Sequence, residues 1–276
     1  MFVFTDEAGD DGLKSQDKFK IVVFSHFFSK DDINYTLESF KVLSLNYFGN
    51  SLRSWKKQRG KIKKNPILIK KFINDFYKKT EKKFFLSIGI IEKDKKYYVH
   101  TEDIKNETVE IYSNLFKRGI PFYKRFYYKL GGYKKNGKPK IHWYIDKNED
   151  ELFIIPLKEK IKEYSEINNV ELNGPKFLSK PKYLNGENKV FSQVIEMTDN
   201  FSGIILRSFR EKTLEYEDLT RLILTRAKGF RISFNNNDFW KWDNVMISPM
   251  NYKSKYKYLI GNDYYTNFDK LDGEQF

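Results

Sequence analysis

Five carboxylates carry the chemistry open to this chain. Asp6 and Glu7 end the short apolar run Phe2-Val-Phe-Thr, and Asp146 closes Lys140-Ile-His-Trp-Tyr-Ile-Asp146. Glu196 and Asp199 stand three apart in the stretch from Ser192 to Gly203, side by side on one helical face. Carboxylates at the edge of a core are costly unless a cation or partner compensates them. Each has an ordinary reading as well: an acidic turn at Asp6, a helix cap at Asp146, a solvated face at Glu196 and Asp199. Their common placement at strand ends and on an apolar helix favours a shared site. Hard, oxygen-seeking cations suit such a set: Mg²⁺ or Mn²⁺ takes carboxylates and waters, and two such ions about 4 Å apart clamp an in-line phosphoryl displacement.

The elements that must position these groups can be read from period and punctuation. Phe2–Asp6 and Phe19–Phe28 read as strands, with Gly9 and Gly12 supplying the turn between them. Asp31-Asp32 reads as a helix cap ahead of Ile33, Leu37, Phe40 and Leu43, and Pro66 fits the first turn of a helix reaching Tyr77. Phe84–Ile91 is apolar enough to be a central strand, and a helix through Thr108–Phe116 is expected to stop near Gly119-Ile-Pro121. Within Ile141–Asp146 the side chains alternate, which puts His142, Tyr144 and Asp146 on one face. A helix over Leu152–Tyr164, a weaker extended stretch around Val170–Lys180 and a long helix over Val190–Arg210 follow. Beyond them come a helix-like Leu219–Arg226, a strand-like Phe230–Phe234 and an aromatic, polar tail.

Composition narrows the class. The 276 residues are 40% hydrophobic and 17% aromatic, which excludes wholesale disorder. There is no cysteine, so disulfides and thiolate metal sites are ruled out. No apolar run approaches the length of a membrane span, and the first residues lack the layout of a signal peptide, so a cytoplasmic protein without membrane contact is expected. The net charge of +14 needs discounting. Alanine occurs only at Ala8 and Ala227 while Lys, Asn, Tyr, Phe and Ile abound, the skew that AT-rich coding produces. Clustering is the better signal. Trp55–Lys64 and Tyr123–Lys140 interleave cations with aromatics and glycines. Cations neutralise phosphates and aromatic faces stack on unpaired bases. Lys56, Lys57, Arg59, Lys61, Lys134, Lys135 and Lys138 are therefore the expected phosphate contacts, with Trp55 and Tyr133 as stacking partners.

Three segments carry a family resemblance. Asp6-Glu7-Ala8-Gly9 resembles the Asp-Glu-Ser-Gly opening of the DUF3800 family, and Trp143-Tyr144-Ile145-Asp146 looks like its central strand ending in aspartate. Ile195-Glu196-Met197-Thr198-Asp199-Asn200-Phe201-Ser202-Gly203 is similar to its late Ile-Gln-Leu-Ala-Asp-Leu-Ile-Ala-Gly helix. Ala8 stands where the family has serine, Glu196 where it has glutamine, and the stretch Leu52–Lys64 is basic where the family often carries a histidine. The resemblance covers about residues 1–210. It implies an α/β, ribonuclease H-like mixed sheet flanked by helices; the order of elements adds a helical, basic insertion at about 31–80 and a C-terminal extension over 211–276 that has no counterpart in the family. It further implies a divalent-metal-dependent nuclease in which Asp6, Asp146 and Asp199 are metal ligands and Glu7 and Glu196 supporting catalytic acids, with Mg²⁺ or Mn²⁺ as cofactor. The family often occurs near mobile elements and phage-defence genes. The substrate expected is RNA or DNA, with a protein partner or second copy as a further expected contact. The alternative is a catalytically silent nucleic-acid-binding subunit of a larger defence or mobile-element complex.

The basic loops give a salt test. Replacing Lys134, Lys135 and Lys138 together by alanine should weaken nucleic-acid binding and flatten the slope of log affinity against log salt by about 0.7 to 0.9 for each phosphate no longer neutralised. An unchanged slope in a titration from low to high salt would assign these lysines to codon drift.

Overall fold

The computed structural model describes residues 1–13, 17–49, 65–81, 83–129, 137–146, 150–235, 238–256 and 259, with the side chains of 230–240, 251, 253 and 254 left aside. Eight strands and six α-helices are described: β1 (Phe2–Ala8), β2 (Phe19–Phe27), α1 (Lys30–Phe48), α2 (Pro66–Lys79), β3 (Phe84–Glu92), α3 (Thr101–Lys129), β4 (Lys140–Asp146), α4 (Glu151–Ile167), β5 (Glu171–Leu178), α5 (Gly186–Glu211), α6 (Leu214–Leu224), β6 (Lys228–Asn235), β7 (Asp238–Asp243) and β8 (Val245–Ser248). Six strands form one mixed sheet in the order β5-β4-β1-β2-β3-β8, while β6 and β7 pair as a separate two-stranded ribbon. Within the sheet β2 alone runs against the rest: it is antiparallel to β1 and β3, whereas the β1–β4, β4–β5 and β3–β8 pairings are parallel. Among the described residues no helix is long and apolar enough to cross a membrane.

Alternation along β1 explains the two-layer cover. Phe2, Phe4 and Ala8 belong to a core shared with residues of α1, α2, α5 and α6, and Val3 to a second core shared with α3 and α4. Both faces are covered, so the central strands read as near-continuous apolar runs. Gly89 lets α3 approach the sheet closely: a Cβ there would overlap Ile111 Cγ2. Gly9 turns the chain out of β1 at φ +92°, where a Cβ would collide with the Phe19 carbonyl.

Local expectations need three corrections. The cap of α1 is Ser29, whose hydroxyl accepts from the Asp32 amide, and the Asp31-Asp32 pair occupies the first turn. Serine caps as well as aspartate does, and the acids still favour the N-terminal dipole. Second, α3 does not stop before Pro121 but runs through it to Lys129. Proline there forfeits a helical hydrogen bond. Burial of Phe122 and Tyr123, and stacking of Phe126 on Phe28 at 3.8 Å, outweigh that loss. Third, the aromatic, polar tail expected after Phe230–Phe234 contains two further strands, β7 and β8. β8 adds an edge to the main sheet beside β3, Trp242 joins the α3-side core and Tyr256 the α5-side core.

Three polar side chains in the interior tie elements together. His26 is fully buried, with Nε2 2.6 Å from Ser87 Oγ and Nδ1 2.7 Å from the Tyr123 hydroxyl. Asn244 donates to the same Ser87 oxygen at 2.7 Å and to the Leu115 carbonyl at 2.9 Å, which ties β8 to β3 and α3. Arg226, 4% exposed, donates to the Tyr77 and Glu81 carbonyls and closes the C-terminal end of α2. Burial holds the His26 imidazole neutral and lowers its pKa from 6.5 to about 3. The unfolded chain therefore binds one more proton than the native state between those limits, so stability is full above about pH 6.5 and falls with acidification toward pH 3. Urea midpoints measured from pH 7 to pH 4 should fall, with His26 contributing up to about 1.4 kcal/mol per pH unit. His26→Gln should remove that part of the slope; an unchanged slope would place the acid sensitivity elsewhere.

Candidate functional site

The acidic residues are positioned by the parallel pairing of β1 with β4. Their register sets Phe4 opposite Tyr144 and Thr5 opposite Ile145, so Asp6 and Asp146 stand at the next position of the two strands. The face is fixed by a ladder of rings. Phe2 stacks on His142 at 4.9 Å, Phe4 stacks on Tyr144 at 5.3 Å, and Phe191 of α5 packs against Phe4 and Tyr144 at 5.5 and 4.7 Å. Period-2 alternation continues this column into Asp6 and then Asp146. Asp6 is half-buried, accepting from the Glu7 amide at 2.7 Å, and Asp146 is exposed. Two carboxylates at neighbouring strand positions, where the parallel bundle of strands ends, form the acidic core of the site.

α5 crosses the same face. Its buried Phe191 lies at the Phe2 end and its Phe209 stacks on Phe19 at 4.3 Å, so the helix runs the length of β1 and β2. Thr198 of α5 meets the sheet directly, its hydroxyl 2.9 Å from Ser25 Oγ. Asp199 follows one residue, about 100°, further round the helix. Glu196 and Asp199 accordingly lie on a half-buried stripe with Gly203 and Arg207, beside the buried seam. Among the described residues no three His, Asp or Glu side chains are grouped closely enough to hold a metal ion. The trio of Asp6, Asp146 and Asp199 is thus not assembled as a three-ligand cage. The Asp6–Asp146 pair nonetheless suits Mg²⁺, which keeps several waters and is commonly held by one or two carboxylates together with substrate phosphates.

Glu7 points to the opposite face and has other partners. It lies 3.2 Å from the Lys20 ammonium and accepts from the Tyr112 hydroxyl at 3.2 Å. Lys20, its side chain 3% exposed, also pairs with Asp11. Burial by itself lowers the Lys20 pKa, but the charges of Glu7 and Asp11 override it and the ammonium is held above its ordinary range. The Tyr112 phenol is pushed well up, chiefly by burial and then by the charges of Glu7 and Asp6. Close by, Lys105 meets Asp150 at 2.6 Å, and Asp150 caps α4. The Lys105 hydrogen bond holds the Asp150 carboxyl below its usual range. Lys93, 2% exposed in its side chain, donates to the carbonyls of Asp10 and Gly12 at 3.0 Å each. Two buried lysines therefore fasten the turn after β1. Sequence reasoning passed over both, although a lysine between Phe19 and Ile21 in an otherwise apolar strand is a visible signal.

Of the expected nucleic-acid contacts, Lys138 falls among the described residues. Trp55, Lys56, Lys57, Arg59, Lys61, Tyr133, Lys134 and Lys135 lie outside the described residues. Lys138 is exposed and precedes β4 at the end away from Asp146, about 25 Å along the strand at its rise per residue. Tyr123 to Tyr128, expected in the basic loop, belong to α3. Compared with protein-family models, curated proteins and solved structures, the chain matches none.

The Lys20 cluster is testable through stability. Lys20→Met should cost about 2–3 kcal/mol in urea unfolding at pH 7, less than for a fully buried pair because both carboxylates reach solvent. Adding Glu7→Gln should recover part of that loss, since it removes one of the stranded charges. No recovery would mean that packing of the lysine stem, rather than charge, carries the effect.

Proposed function

We propose that this chain is a divalent-metal-dependent nuclease of the ribonuclease H-like, DUF3800 type, hydrolysing phosphodiester bonds in RNA or DNA. The observation that carries the reading is the Asp6–Asp146 pair on one face of adjacent parallel strands. Supporting it, the order β5-β4-β1-β2-β3 with β2 alone reversed is the order expected of a ribonuclease H-like sheet. An acidic helix crossing the same face fits too. Asp6 and Asp146 would hold Mg²⁺ or Mn²⁺, with Asp199 and Glu196 as supporting acids, and the ion would activate water and stabilise the leaving oxygen. The protein's own part is positional. The ring column beneath the pair fixes both strands against α5, and Glu7, held by Lys20 and Tyr112 on the other face, contributes only to the frame.

A second reading, a silent nucleic-acid-binding subunit in a defence or mobile-element complex, is favoured by one observation: Asp199 does not complete a three-carboxylate group among the described residues. One experiment separates the two. Purified protein incubated with single- and double-stranded RNA and DNA should cleave with Mg²⁺ or Mn²⁺ and stop with EDTA. Asp6→Asn and Asp146→Asn should each lower the rate by about a hundredfold or more while binding is retained or tightened. Binding without cleavage across that panel would establish the silent subunit.

A further inference from the structure

A cleft of about 600 Å³ opens where β2 begins, β3 ends and α5 gives way to α6, with Phe19 four residues along β2 from Val23, the strand partner of Asp6. Its size is that of a small-molecule site. Phe19 and Phe209, stacked on each other, and Tyr256, edge-on to both, line its apolar side. Four cations, Lys18, Arg210, Lys212 and Lys255, face two carboxylates, Glu92 and Glu217. The pairing around this rim is uneven. Lys255 meets Glu92 at 2.6 Å, Arg210 is held by Asp17, and Glu217 turns to Arg221 at 3.6 Å. Among the described residues neither Lys18 nor Lys212 has a carboxylate within ion-pair reach, and both are exposed.

Lys212 carries a second signal. It ends α5 in the left-handed conformation, at φ +50°, with its amide donating to the Ser208 carbonyl at 3.0 Å. Helices that end this way default to glycine, which has no Cβ to crowd the backbone carbonyl, or to asparagine, whose short polar side chain bonds locally. A lysine at that place costs backbone strain and delivers an ammonium to the cleft. Two ammonium groups without a carboxylate partner among the described residues, beside an aromatic wall, suit a dianionic phosphate on a molecule that also carries a flat ring.

We propose that this cleft binds a phosphate-bearing nucleotide, with Lys18 and Lys212 on the phosphate and the Phe19–Phe209–Tyr256 wall beside the base. The site is independent of the metal reading, and its test is run in EDTA so that failure of either leaves the other standing. Calorimetric titration with adenosine 5′-monophosphate, adenosine, and a short oligonucleotide with or without a 5′-phosphate identifies the source of the phosphate. Binding of the mononucleotide marks a free nucleotide; binding of the phosphorylated oligonucleotide alone marks a strand end. In either case the form lacking the terminal phosphate should bind at least about tenfold more weakly. Lys18→Ala with Lys212→Ala should weaken binding by about tenfold or more. Lys162→Ala with Lys189→Ala, which removes the same charge from exposed positions elsewhere, should leave it within about twofold. Equal weakening by both double variants, equal affinity with and without the phosphate, or no binding of either phosphorylated probe would overturn the proposal.

Discussion

The parallel pairing of β1 with β4 is the constraint on which the site depends. β1 lies between β4 and β2 and is covered on both faces, so each of its side chains is committed to one layer or the other. Because the period is two, Asp6 and Glu7 cannot share a destination. One is carried to the α5 side beside Asp146 and the other to the α3 side beside Lys20 and Tyr112. A slip of one residue would exchange these fates and place Phe2 and Phe4 against the wrong helices. The stacked pairs Phe2–His142 and Phe4–Tyr144, locked by Phe191, oppose such a slip.

Charged side chains stand at the sheet's end on both faces. On the α3 side, cations and carboxylates neutralise one another: Lys20 with Glu7 and Asp11, Lys105 with Asp150, Lys93 with Asp10. Such pairs order the turn after β1 more than they add to stability, since desolvation offsets most of the attraction. On the α5 side, two aspartates are set next to each other by register.

The segment after residue 210 shows how far a sheet can recruit distant sequence. β8 is four residues long, yet it pairs with β3 from Ile88 to Ile91, and Trp242 donates to the Leu86 carbonyl at 2.6 Å. Arg226 closes α2 from the same region. The chain's last described elements thereby cover the edge that β3 would otherwise expose.

Much of the frame was legible from residue types. β4 over Lys140–Asp146 falls where alternation placed it, β1, β2, β3, α2 and α5 lie within a few residues of their expected spans, and the opposed faces of Asp6 and Glu7 follow from period alone. Those features are local: they depend on spacing along the chain and on side chains that prefer one backbone conformation. Tertiary structure decided the rest. Pro121 stays inside α3 because Phe122, Tyr123 and Phe126 find apolar partners from other elements. β7 and β8 escaped notice because short strands carry too little pattern, and their partners lie far back in the chain for β8 and in a weakly patterned ribbon for β7. Asp199 and Glu196 share a helical face as their spacing required, but the rotation of that face is set by which residues pack on the sheet, Thr198 among them. Spacing fixes which side chains travel together; packing against the rest of the molecule fixes where they arrive.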